Sequence, residues 1–252
     1  MIVARARIGG REQLVRVEGD TLHLLDGDLF ASRETGRTAA RSDATFVAPL
    51  RPGKVVCVGR NYRAHAKELG NEVPTEPLLF IKPQTAVIGP HEAILLPRQS
   101  QRVEHEGELA VLIGTRLHDG TPGQAREAIF GYLCANDVTA RDLQKQDVQF
   151  TRGKGFDTFC PLGPWVTTER PGPDAAVTVR VNGTQRQRGF FRDMVFGIDE
   201  LVAFISGIMT LEPGDVVLTG TPEGVGPLLD GDTVEVEIDG IGTLQNGVRA
   251  RG

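Results

Sequence analysis

No stretch of this 252-residue chain approaches the ~18 consecutive apolar residues that a membrane-crossing helix requires. Its opening, Met1-Ile-Val-Ala-Arg-Ala-Arg7, lacks the apolar run of a secretory signal, so a cytoplasmic protein with no membrane partner is expected. Cysteine is scarce. Cys57, Cys134 and Cys160 are odd in number and show no Cys-x-x-Cys spacing, which argues against a disulfide framework or a zinc knuckle. Cys57 and Cys134 lie in apolar runs and read as core thiols. Four serines include no Gly-x-Ser-x-Gly, so a covalent acyl-enzyme has little support. A formal charge of −5 gives nucleic acid no electrostatic reason to bind. Lysine occurs only at 54, 67, 82, 145 and 154, which makes Lys154 noticeable in Arg152-Gly-Lys-Gly-Phe156, although the default for such a residue is a solvent-facing loop. Aromatic residues are few, at 6%, while 31 Gly and 15 Pro make the backbone turn often, which suits many short strands.

Residues 1–50 alternate short β-like runs with turns at Gly9-Gly10 and near positions 19, 26 and 27, and end in a polar stretch before Pro49 and Pro52. This predicts a small N-terminal β-rich domain, 1–50, ahead of a main domain, 51–252. In the latter, Lys54–Gly59 and Leu78–Ile81 read as strands, and Asn61–Leu69 as a helix stopped by Gly70. Thr121-Pro122 starts a helix running to about Phe130. Asn182-Gly183 joins two β-like runs with the signal of a type I′ hairpin. Ile198, Leu201, Val202, Ile205, Ile208 and Met209 follow helical spacing and predict a single packed stripe. Strands outnumber helices without regular alternation, so a mixed, β-rich sandwich or roll is predicted over a doubly wound sheet.

Three carboxylates stand beside apolar runs: Glu106 and Glu108 before Leu109–Ile113, and Asp137 after Tyr132–Ala135. Side chains two apart on a strand share a face, so Glu106 and Glu108 point one way and His105 the other. Converging beside a core they would repel one another and lose hydration unless a cation joins them. All-oxygen ligands are hard and favour Mg²⁺ or Mn²⁺ over Zn²⁺. The plain alternative is two solvated charges on an edge strand and a turn-forming Asp, which the neighbouring buried runs weigh against.

His65 and Glu68, three apart on the expected helix, share a face, so the carboxylate can orient the imidazole as a general base. A chance pair on a solvated helix is the alternative. Gly220-Thr-Pro-Glu-Gly-Val-Gly226 follows a strand but matches neither phosphate-loop pattern. Its backbone N–H groups and the Thr221 hydroxyl remain able to hold a carboxylate, against the alternative of an ordinary turn.

In combination these segments resemble the fumarylacetoacetate hydrolase family. The likeness is carried in order by Val56–Tyr62 with His65 and Glu68, Pro77–Pro83, His105–Val111, Asn136–Gln144, Lys154 with Phe156, and Leu218–Gly226. The resemblance implies a mixed β-sandwich roll, a homodimer, and Mg²⁺ or Mn²⁺ on Glu106, Glu108 and Asp137, with Ca²⁺ a substitute in crystals. It implies His65 and Glu68 on a mobile lid, Lys154 as a third catalytic residue, and substrate contacts from Arg60, Gln144, Thr221 and Gly220. The substrate so implied is a small 2-oxo or 2,4-dioxo acid. An acylpyruvate would be cleaved by water at a C–C bond through a metal-bound enolate. Related outcomes are decarboxylation of oxaloacetate and isomerisation of 2-hydroxyhepta-2,4-diene-1,7-dioate or 5-carboxymethyl-2-hydroxymuconate. The His65–Glu68 pair favours the hydrolase and decarboxylase outcomes, because isomerisation needs no activated water, and it counts against a non-catalytic 2-oxo acid binding protein.

Overall fold

The computed structural model describes residues 1–251. Five N-terminal strands, β1 (Ile2–Ile8), β2 (Arg11–Glu18), β3 (Thr21–Asp26), β4 (Arg33–Ala40) and β5 (Ala44–Val47), pair antiparallel in the order β5-β1-β2-β3-β4. Their inward positions alternate, and Ala4, Ala6, Val15, Val17, Leu22 and Leu24 form a small core closed by Phe46 and Trp165.

The chain continues through β6 (Val55–Gly59), α1 (Arg63–Glu68), β7 (Leu78–Lys82), β8 (Val87–Ile88), β9 (Ile94–Leu96), β10 (Val103–His105) and β11 (Gly107–Ile113). Then come α2 (Pro122–Ala128), β12 (Ile129–Asn136), β13 (Thr139–Ala140), α3 (Arg141–Gln146), α4 (Thr151–Lys154) and β14 (Cys160–Thr167). The last third holds β15 (Ala176–Val181), β16 (Thr184–Phe190), α5 (Ile198–Ser206), β17 (Val216–Leu218), β18 (Gly226–Pro227), β19 (Thr233–Ile238) and β20 (Gly242–Ala250).

One large sheet runs β4-β3-β2-β1-β14-β12-β11-β17-β6-β7; the N-terminal strands join it where Ile2 and Val3 pair with Thr167 and Val166. A second sheet, β16-β15-β19-β20-β9, packs against it, and β13-β10-β18 forms a third, small one. β11 explains the layering. Leu109, Val111 and Ile113 point into the core shared with Val177, Val179, Val234 and Val236 of the second sheet, while Ala110 and Leu112 point into a separate core with Leu133, Ala135 and Leu218. Each such aliphatic side chain contributes about 1.5–3 kcal/mol by leaving water, so a strand apolar on both faces is stable only between two layers. The expected β-rich sandwich is therefore the fold.

Local signals hold where they rest on backbone geometry. Asn182 and Gly183 both take positive φ (51° and 75°), as a type I′ turn demands. Thr121 caps α2 in a box with Gln124. The stripe expected to reach Met209 is shorter: α5 stops at Ser206 with Gly207 as its cap, and Ile208, outside the helical register, is 58% exposed.

Candidate active site and metal centre

Glu106 falls between β10 and β11 and Glu108 is the second residue of β11, while Asp137 leaves the end of the adjacent β12. Two hydrogen bonds fix this crossing: Glu106 N donates to the Asn136 side chain (2.9 Å), and Asp137 N donates to the Glu106 carbonyl (2.8 Å). One carboxylate oxygen from each of Glu106, Glu108 and Asp137 lies within 4.8 Å of the others, and all three residues are buried. Glycine suits position 107, because a Cβ would stand 2.2 Å from Val179 Cγ2 in the second sheet and force that side chain to shift. His105 points away from the triad toward Gln187, as strand alternation requires.

Three buried cations surround these acids. Lys154 Nζ donates to Glu106 Oε2 and Asp137 Oδ2, each at 2.6 Å. Arg141 pairs with Glu106 and, at 2.6 Å, with Glu104, which is also buried. Lys82 Nζ donates to the Val138 carbonyl (3.1 Å) and comes within 2.5 Å of Asp137 Oδ1, an ion contact without hydrogen-bond alignment. Arg102, at the surface, also meets Glu104 (2.5 Å), so Glu104, Glu106 and Asp137 each have a cation partner, while Glu108 has none among the described residues. Glu108 is therefore the carboxyl that its surroundings disfavour as an anion. Burial first, then Asp137 and Glu106 beside it, push its carboxyl well above the usual range, while Gly220 N donates to Oε2 (2.6 Å). For Glu106, burial is outweighed by Lys154 and Arg141, which hold its carboxyl low.

A hard divalent cation fits this donor set. Asp137 Oδ1 is buried and accepts no hydrogen bond, Glu108 has no cation partner among the described residues, and the three converging donors are all oxygen.

The same cavity, about 260 Å³, is lined by Glu106, Glu108, Asp137 and Lys154, by His65 from α1, and by Arg60, Gln144 and Thr221. His65 is buried, with Nδ1 3.2 Å from Glu68 Oε2. Glu68 also accepts from Gly224 N (2.9 Å), tying α1 to the glycine-rich loop. Gly220 reaches the site through its N–H on Glu108. The Thr221 hydroxyl donates to the Gly107 carbonyl (2.9 Å) and accepts from Gln187 Nε2 (2.8 Å), so its proton points into the scaffold. Every residue singled out from the sequence thus gathers at one place. Lys154 departs from the default for a lysine between glycines: it is 2% exposed, because two carboxylates draw it inward.

Several participants carried no signal of their own. Lys82, Arg141, Glu104 and Gln187 act through partners far away in sequence, and Asn61, fully buried, pins the entry to α1 by bonds to Phe196 and Thr219. Asn61, Lys82 and Arg141 lie inside segments that carry the family likeness without being singled out there, while Glu104 and Gln187 left no trace.

Residues 54–249 match the family model described as fumarylacetoacetate (FAA) hydrolase C-terminal, and residues 1–49 match one described as Rv2993c-like, N-terminal. The chain belongs to the fumarylacetoacetate hydrolase family. It is 44% identical over 221 residues to the human protein "Oxaloacetate tautomerase FAHD2A, mitochondrial", covering 82% of this chain and 70% of that one. Among solved structures, a 5-carboxymethyl-2-hydroxymuconate delta-isomerase from Mycobacterium smegmatis superposes with TM-score 0.94 at 43% identity over the whole of both chains. A fumarylpyruvate hydrolase from Pseudomonas aeruginosa, in complex with Mn²⁺ and pyruvate, superposes with TM-score 0.75 at 36% identity, covering 82% of this chain and 92% of that one. Family members named in this way include a hydrolase, an isomerase and a tautomerase.

Proposed function

We propose that this protein is a divalent-metal-dependent hydrolase that cleaves a C–C bond in acylpyruvate-type 2,4-dioxo acids. The observation that carries the reading is one cavity lined by both the acidic triad and the His65–Glu68 pair. Glu106, Glu108 and Asp137 would hold Mg²⁺ or Mn²⁺, which supplies a Lewis acid for the carboxylate and 2-oxo oxygens of the substrate.

The protein's own groups account for the rest. Glu68 accepts from His65 Nδ1–H, which leaves Nε2 as the base that takes a proton from water. The resulting hydroxide adds to the distal carbonyl. The C–C bond then breaks, the acyl part leaves as an acid, and the carbon of the departing pyruvate unit takes up a proton. Lys154 Nζ, held beside Glu106 and Asp137, offsets negative charge formed during the addition. Arg60 and Lys145 line the cavity and hold no ion pair among the described residues, so they are free to meet a substrate carboxylate; Gln144, bonded to Arg141 at 2.5 Å, supports that wall.

A second reading, tautomerisation or isomerisation of a 2-oxo acid, is favoured by the higher identity to the tautomerase and the isomerase than to the hydrolase. It uses the same base to move a proton along the carbon chain without consuming water. Assays with an acylpyruvate, oxaloacetate and a hydroxymuconate-type dienoate, each with Mg²⁺ and with chelator, separate the two. Acylpyruvate cleavage that stops with chelator supports hydrolysis; isomerisation of the dienoate, or keto–enol conversion of oxaloacetate without release of CO₂, replaces it with proton transfer, and CO₂ release from oxaloacetate alone replaces it with decarboxylation.

A further inference from the structure

On β16 only positions 187 and 189 turn fully inward, and they hold a glutamine and a glycine where an apolar pair is usual. Gln187 is 1% exposed. A buried amide is stable only when its hydrogen-bonding capacity is used, and here all of it is. Oε1 accepts from Gly107 N (3.1 Å) and faces His105 Nδ1 (3.0 Å), while Nε2 donates to Thr221 Oγ1 (2.8 Å) and to the Pro222 carbonyl (2.7 Å). The amide has one possible orientation, since Gly107 N–H can only donate and the Pro222 carbonyl can only accept. His105 must then carry its proton on Nδ1.

The partners lie on both limbs of the site. Gly107 is the residue between Glu106 and Glu108, and Thr221 follows Gly220, whose N–H holds Glu108. Thr221 closes a ring by donating to the Gly107 carbonyl. Gln187, from the second sheet, thus holds the peptide before Gly107 directly and the peptide after it through Thr221.

We propose that Gln187 is a positioning residue that sets the spacing of the two glutamates and the glycine loop, and through it the affinity of the site for a divalent cation. The inference rests on the metal reading above. Losing a partner that orients a metal ligand typically costs 10–100-fold in affinity. Gln187→Leu removes all four bonds. Gln187→Glu keeps the two made by Oε1 but places a second acceptor against Thr221 and Pro222.

The test is Mn²⁺ binding to metal-stripped protein, followed by the loss of the free-ion paramagnetic resonance signal, with thermal unfolding of the metal-free forms in parallel. Both variants should bind Mn²⁺ roughly 10–100-fold more weakly than wild type, whereas Arg188→Ala, on the exposed side of the same strand, should bind normally. Wild-type affinity in a folded Gln187→Leu protein overturns the assignment. Should both Gln187 variants fail to fold, Thr221→Ser and Thr221→Val divide the question, since only the second breaks the ring; equal Mn²⁺ affinity in the two also overturns it. Failure of wild type to bind Mn²⁺ would instead remove the metal reading itself.

Discussion

Asp137 is the most direct test among the three proposed ligands, because Oδ1 is buried without a hydrogen bond while Oδ2 accepts from Lys154. Replacing it by Asn preserves shape and removes the charge, so Asp137→Asn should lose Mg²⁺ binding by calorimetry; unchanged affinity would mean that another residue is the ligand. Glu108 sets the pH response. Its carboxyl lies well above the usual range in the metal-free protein, and a cation requires it ionised, so binding must expel a proton at pH values between the ordinary and the raised position. Affinity should rise with pH across that interval, and calorimetry in buffers of different ionisation heat should register proton release. Binding without release would place the proton elsewhere. Much of this was legible in sequence, because period-two spacing alone aligns Glu106 with Glu108. The counter-ions were not. Arg141 is 35 residues from Glu106 and Lys82 is 56 from Val138, and no local pattern records pairings of that reach. Gln187 lay hidden among Gln185, Arg186 and Arg188, a run that reads as a solvent-facing strand.

At the scale of elements, β11 does two things at once: its apolar residues join both cores, and its start holds Glu108 beside Glu106, the residue just before it. Gly107→Ala should report on that junction, since the added Cβ meets Val179 at 2.2 Å and Val236 at 3.2 Å. Overpacking of this kind costs roughly 1–3 kcal/mol, readable as a lower urea midpoint. A midpoint equal to wild type would show that the two sheets part easily. α1 is the other element in question, held at one end by Asn61 and tied by Glu68 to Gly224. His65→Ala should leave Mg²⁺ affinity intact while lowering acylpyruvate hydrolysis by roughly 10²–10⁴-fold, the usual contribution of a general base. A normal rate would remove α1 from the chemistry. The helix was foreseen from its polar spacing and terminal glycine. Its burial was not, because that comes from the loop at 219–226 and from Phe196, both distant in the chain.

For the whole molecule, a buried cluster in which Glu108 lies against Asp137 and Glu106 with no cation partner among the described residues carries an electrostatic cost that a bound cation would relieve. Any ligand that binds only the folded state stabilises it, by about 2.7 kcal/mol at a hundred times its Kd. For a chain of this size that corresponds to a rise in Tm of roughly 5–10 °C. The β-rich architecture was foreseeable from turn chemistry and from strands apolar on both faces. The sheet order was not, because β17 pairs with β6 and β20 with β9 across long intervals of chain. The measurement that bears most directly on the account is an anomalous difference map from a crystal grown with Mn²⁺. One peak is expected among the carboxylate oxygens of Glu106, Glu108 and Asp137, with Lys154 Nζ drawn back from at least one of them. No peak there, or Mn²⁺ bound elsewhere while Lys154 still bridges Glu106 and Asp137, would contradict it.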